Sequence, residues 1–390
     1  MSDKFVEVTH QSWASRIGSA IKGVVVGFIL IFVGIGLLFW NEGRAVKTHR
    51  ALVESQSQVV SISTSDVQPA MTGKLVHISG DATTEETLAD DLLPVSAQAL
   101  KIKRHVETYQ WEETSKSEEK KQMGGSTETV TTYEYKKVWS DKKISSAGFK
   151  QQAGHENPGV LPYESRTWTA DTVSIGEYTL SDTHKAGINN FTSLNIPQVT
   201  MPQGLSHQGQ QLYYGANPDS TNIGDQRIRF EAVLPQVFSA VGRLSGTELT
   251  EHVTSNGRSV ALIQAGSHTA DAMFEQAKSE NVVRTWILRA VGTVLLMMAF
   301  SMILKPLSVI ADVVPAIGNI VEMGTGFVSM VIALIIALIT ICVAWIFYRP
   351  LVAAALLVVV AGLVYWFLRR AKSASAHKEP VAVAATPAAG

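Results

Sequence analysis

The chain has one cysteine, Cys342, so no disulfide can form within it and no Cys-x-x-Cys motif exists. Ten histidines are present, yet none falls in a His-Glu-x-x-His pattern, and no metal site is expected. Also missing are a Gly-x-Ser-x-Gly nucleophile elbow, a Walker phosphate loop and a dinucleotide fingerprint. The formal net charge is −1 at pH 7, which offers no basic footprint for nucleic acid. Together these absences point away from an enzyme, a bound cofactor or a nucleic-acid partner.

A further absence, that of charge, sets the architecture. Gly23 to Trp40 is an uncharged run of eighteen residues. As a helix it would be about 27 Å long at ~1.5 Å per residue, close to the ~30 Å bilayer core. Three more apolar blocks follow in the last hundred residues. The expectation is an α+β integral membrane protein with four transmembrane helices at 21–40, 282–304, 327–347 and 351–368. A large β-rich extramembrane domain, 41–281, is inserted between helices 1 and 2. Residues 1–20 form an N-terminal segment and 369–390 a disordered tail. Between them, 305–326 reads as an amphipathic segment lying at the interface, because Leu307, Ile310, Val314, Ile317 and Val321 form one stripe.

The first block is longer than a signal-peptide core, and Trp40 is followed by Asn41-Glu42-Gly43-Arg44 with no cleavage site, so an uncleaved anchor is expected. Arg369, Arg370 and Lys372 place the C-terminus in the cytoplasm. Four spans then put residues 1–20 in the cytoplasm as well and the domain outside, although Arg44, Lys47 and Arg50 oppose that sidedness. The spans hold Thr340 and Ser329 but no central charge, so a conducting pathway within one chain is not expected. Ser19, Gly23 and Gly27 recur every four residues and are candidates for close helix packing.

Within the domain, Val106–Glu113 and Thr129–Trp139 alternate as strands, joined through the charged, glycine-containing Ser115–Ser126 as a hairpin with a mobile tip. Further strands are expected at Gln211–Tyr214, Gln226–Leu234, Val237–Leu244 and Ser259–Gln264, and a helix at Thr269–Asn281. Gly73–Gly80 and Gly242–Gly246 echo one another, as two related halves would. His105, Glu107, Tyr109 and Trp111 share one strand face at period two. With Arg104, and with His155 and Asn157 in the His155-Glu-Asn-Pro158 turn, they are the candidate interaction residues.

Several stretches resemble the LUMA family, the transmembrane-43 proteins. They are Asn41–Ala45, Gly73–Ile78, Lys101–Glu112, Gly154–Pro158, Gly224–Arg227, Trp286–Ala290 and Trp345–Leu351, in that order. The resemblance implies four spans, a lumenal domain and cytosolic termini. Animal members reside in the endoplasmic reticulum and inner nuclear membrane, self-associate, and organise complexes with emerin and lamins. The Ala/Pro-rich tail suits a bacterial member, which would sit in the inner membrane with a periplasmic domain. The expected function is a non-enzymatic scaffold whose partners are itself, other membrane proteins and membrane lipids. The alternative is an outer-leaflet lipid-binding or lipid-modifying membrane protein.

Overall fold

The computed structural model describes residues 3–351 and, past them, Ala354, Ala355, Val358, Gly362 and Tyr365 alone. The expected fourth span and the tail after it therefore fall outside the described residues, those few positions apart. Among the described residues, three helices are long and apolar enough to cross a membrane: α1 (Trp13–Gln58), α3 (Ala270–Ala311) and α4 (Pro315–Tyr348). The short helix α2 (Asp182–Gly187) lies in the strand-rich part.

Local chemistry explains where the long helices begin. The Ser12 side chain accepts from Ser15 N to cap α1, and Thr269 accepts from Ala272 N to cap α3. Pro315 opens α4 at a position where its missing N–H has no partner to lose. The interfacial segment expected at 305–326 is not a separate piece. Helix α3 runs through Pro306 to Ala311 and α4 begins four residues later, so the apolar stripe is shared by two helix ends and the turn between them. Likewise α1 continues for eighteen residues past Trp40, and α3 begins within the expected domain.

Glycine sets the helix spacing. A Cβ on Gly27 would lie 2.8 Å from Ala299 O and 2.9 Å from Ile303, and one on Gly292 would meet the Leu38 side chain. Leu38, Leu296, Ala333 and Ala337 fill the space between the three helices. The expected packing triplet therefore divides. Gly27 is consumed by contact within the chain, whereas Gly23 has nothing within 4 Å and Ser19 is exposed.

Six strands build the frame of the remainder: β1 (Asp3–Gln11), β2 (Leu75–Thr83), β3 (Lys101–Lys121), β4 (Thr127–Ser140), β5 (Gln226–Val233) and β6 (Gln236–Ser245). The eight-stranded sheet runs β1-β4-β3-β5 and continues through Gln211–Tyr214 and Leu205–Gln208. In the seven-stranded sheet, β6 lies between β2 and Leu262–Ala265. The two glycine-bounded segments that echo each other in sequence are thus adjacent antiparallel strands of one sheet. Residues 3–11, expected as a segment apart from the domain, are instead an edge strand paired with β4. The strand-rich part is therefore drawn from both sides of α1.

Two apolar cores fill the domain, one around Ile78, Tyr178 and Phe238 and the other around Ile102, Ile228 and Phe230. A third joins it to the helices: Leu75, Val241 and Val260 pack on Ala51 and Leu52 of α1 and on Met273 and Phe274 of α3. Beside it lies His184, whose Nε2 is 3.0 Å from Val241 O and whose Nδ1 is 2.9 Å from Ser181 Oγ. Burial pushes the pKa of His184 down, and does the same to His77. Both are therefore neutral in the fold at pH values where an unfolded histidine, with a pKa of about 6.5, would take up a proton. Stability should be full above that pH and fall as the pH drops below it. Thermal unfolding of the detergent-solubilised chain between pH 7.5 and 5.5 measures this, and His184→Gln should flatten the fall.

Candidate functional site: a polar hairpin clasped to the end of the helix bundle

Three polar clusters lie along the molecule, and the first is at the domain end of the helices. Glu42 is fully buried. It accepts from Arg289 Nε at 2.6 Å and Nη2 at 3.0 Å, and from Trp345 Nε1 at 2.8 Å, tying α1, α3 and α4 together. Two residues on, Arg44 donates to Asn281 Oδ1, Thr285 Oγ1 and Asn41 Oδ1. Asn41 Nδ2 reaches Thr285 O, and Asn281 Nδ2 reaches Ala45 O. The Asn41-Glu-Gly-Arg44 run after the first span is thus a satisfied polar knot. The bare glycine fits because the Tyr348 ring lies where a Gly43 side chain would begin.

The second cluster holds three of the residues singled out from sequence. Asn157 Oδ1 accepts from Trp111 N at 2.7 Å and its Nδ2 donates to Trp111 O at 2.8 Å, so the amide stands in for a neighbouring strand. His155, 2% exposed, stacks on Tyr135 at 4.0 Å and meets the Trp111 ring edge-on at 4.6 Å. Its Nε2 lies 3.3 Å from an Asp3 carboxylate oxygen of β1. The Tyr135 hydroxyl donates to Glu113 at 2.6 Å.

The other candidates do not join this cluster. Arg104 points into the core, where its Nη1 contacts both Asp90 carboxylate oxygens at 2.6–2.7 Å and its Nε donates to Glu164 O. His105 and Glu107 lie near Arg229, at 3.3 and 3.7 Å. Tyr109 packs on Trp139, which the Arg227 guanidinium covers at 4.0 Å. Among the described residues no group of three or more His, Cys, Asp or Glu side chains could hold a metal ion.

The third cluster was not foreseen, and it sits at the opposite end of the helices. Arg16 Nη1 donates to Gly125 O at the hairpin tip, at 2.7 Å, and its Nη2 to Asp312 at 2.6 Å in the α3–α4 turn. Lys121 of β3 lies 2.9 Å from Asp312 and 2.6 Å from Glu322, and Lys305 lies 2.7 Å from Glu322. Asp312 is 1% exposed. Gly124 N donates to Val313 O, and Trp13 Nε1 to Val309 O. Gly125 adopts φ +81° against the Trp13 ring, a conformation and a closeness that only glycine fits. The tip expected to be mobile is clasped.

Two cavities flank the clasp and share Glu119 and Lys305. One, of about 400 Å³, lies between α1 and α3 against Ser19, Ala20, Gly23 and Met302. The other, of about 350 Å³, is lined by Lys121, Asn319 and Glu322.

The clasp fixes the depth of the hairpin. From Arg16 to Arg44 is 28 residues of α1, about 42 Å at ~1.5 Å per residue. The domain rests on Ala51 and Leu52, beyond Arg44. The hairpin is rooted in that domain and ends at Arg16, so it runs back alongside the apolar bundle. Its last nine rows, Glu113–Lys121 opposite Thr127–Tyr135, are about 30 Å tall at ~3.3 Å per residue. That is the thickness of the bilayer core.

Apolar helices bundled beneath a strand-rich domain define an integral membrane protein. The family model described as Transmembrane protein 43 matches residues 108–350. The chain belongs to that family. It is 33% identical to Transmembrane protein 43 of Rattus norvegicus, over 87% of this chain and 88% of that one. Identity to the Homo sapiens protein of that name is 32%, over 91% and 90%. To the Transmembrane protein 43 homolog of Drosophila melanogaster it is 32%, over 88% and 93%. No solved structure matches the chain.

Proposed function

We propose that the protein is a non-enzymatic multi-pass membrane scaffold that self-associates and organises membrane protein complexes or membrane structure. What supports this is the polar hairpin, which the Arg16 contact at its tip sets alongside the apolar run of α1. Lys116, Glu118, Glu119 and Lys120 lie in its nine lower rows, and a charged side chain at the bilayer centre costs about 2.5–3.5 kcal/mol even on the mildest scale. Open sheet edges are not tolerated in lipid at all. Other copies of the chain, with their own hairpins, supply the polar surroundings this one needs. The fold in this proposal has the fourth helix at 351–368, with the domain on the membrane side away from the C-terminus. That side is periplasmic in a bacterial inner membrane, and lumenal in the endoplasmic reticulum or inner nuclear membrane.

The two cavities at the clasp favour a second reading, lipid binding, with an acyl chain against Gly23 and a headgroup between Lys305 and Glu119. One preparation tests both. The chain is extracted in mild detergent, weighed, and its bound phospholipid counted. The scaffold predicts a mass of several chains, and a strict monomer would overturn it. Lipid binding predicts retained phospholipid that Gly23→Phe removes and that Gly36→Phe, equally open on the same helix, leaves in place.

A further inference from the structure

Among the described residues, the lower hairpin is a three-stranded patch with two open edges of equal height. Asp3 faces Tyr135, which faces Glu113, and at the other end Gln11 faces Thr127, which faces Lys121. β1 closes one side of β4 over the same nine rows that β3 closes on the other. The outer edge of β1 pairs with no strand among the described residues.

The outer edge of β3 is occupied higher up and released lower down. β5 pairs with it from Lys101 to Thr108. Below that, Tyr109 N donates to Asp225 O and Tyr109 O accepts from Gly224 N. Asn157 then takes both backbone groups of Trp111. Among the described residues the chain thus satisfies its own edge as far as Trp111, and no strand covers the rows that β1 also leaves open.

We propose that the β1 edge of one copy pairs with the 113–121 edge of β3 of the next, head to tail, closing a ring of hairpins. This rests on the self-association reading and names its contact. β1 and β3 are both antiparallel to β4 and hence parallel to each other. Copies related by rotation about the membrane normal keep all strands pointing one way, so unlike edges meet in parallel pairing. Antiparallel pairing of like edges would need one copy inverted in the bilayer. A heterologous contact repeated by rotation closes into a ring, and closure is what removes sheet edges from lipid.

The test uses full-length chains with Cys342→Ser. Val8→Cys is placed in one copy and Lys116→Cys, Glu118→Cys or Lys120→Cys in a co-expressed, differently tagged copy, and the membranes are oxidised. Within one chain Val8 and Glu118 sit two strands apart, about 9.6 Å at ~4.8 Å per strand, too far for a disulfide. At least one of the three pairings should give a dimer carrying both tags. Carrying Val8→Cys and that partner cysteine on the same chain should give a ladder of higher species. An oligomeric mass with none of these cross-links would overturn the edge pairing and leave self-association standing. A monomeric mass without cross-links would overturn both. Val8→Cys joining mainly to its own kind would overturn the head-to-tail arrangement.

Discussion

Replacing Glu42 with alanine is expected to cost about 3–5 kcal/mol, the penalty for stranding one member of a buried ion pair. The size follows from what the carboxylate holds. Arg289 reaches it through two nitrogens and Trp345 through its indole N–H, on two different helices. Without Glu42 the Arg289 guanidinium remains largely enclosed with no counter-charge, and the indole loses its acceptor. Unfolding of the purified chain in detergent, followed by heat or denaturant, measures the loss. The paired change Glu42→Leu with Arg289→Leu should recover most of it, because two apolar side chains can replace a buried pair at little net cost. A double variant as unstable as the single one would show that shape rather than charge holds the junction.

Asp312→Ala should act at the other end and on assembly. It leaves Arg16 and Lys121 facing each other across an emptied, nearly dry site, a loss again of about 3–5 kcal/mol. That loss falls on the contact joining hairpin to helices, so the tip should come free while the domain stays folded. Limited trypsin digestion should then cut after Lys120 or Lys121, sites the intact clasp protects, and the detergent-extracted mass should fall towards one chain. Exchanging the charges, Arg16→Asp with Asp312→Arg, should restore part of both readouts. Unchanged protection in Asp312→Ala would mean that the backbone bonds at Gly124 and the Trp13 contact suffice.

These two clusters differ in how far the sequence announces them. Asn41-Glu-Gly-Arg44 is conspicuous as charge set directly against an apolar run, and its place one turn past the span suggests a role at the helix ends. The three helices declare themselves by uncharged length, and β3 and β4 by alternation. Asn157 and His155 stand out in a polar turn, though nothing in the turn says that Trp111 is their partner. The clasp is illegible for a different reason: Arg16 and Asp312 are 296 residues apart, and each alone looks like an ordinary charge at a membrane boundary. β1 escapes because Phe5 shares its face with Asp3 and Glu7, while Val6 and Val8 share theirs with Lys4 and His10, so neither face is uniformly apolar and no clean period of two stands out. Ser19, Gly23 and Gly27 look alike as a pattern. Their different fates depend on how α3 crosses α1, which spacing cannot convey.

Bundle, domain and hairpin meet at three corners: the Ala51–Leu52 packing, the root of β3, and Arg16. A triangle with fixed sides does not shear. A free helix bundle meets a thicker or thinner bilayer by tilting, but here tilting would lengthen or shorten one side of the frame and load the clasp. With the hairpin placed as proposed, the molecule would gauge bilayer thickness, strained wherever the hydrocarbon departs from the height of its nine rows. Membranes of different thickness should accordingly hold it unequally, and the Arg16 corner is where that mismatch is felt.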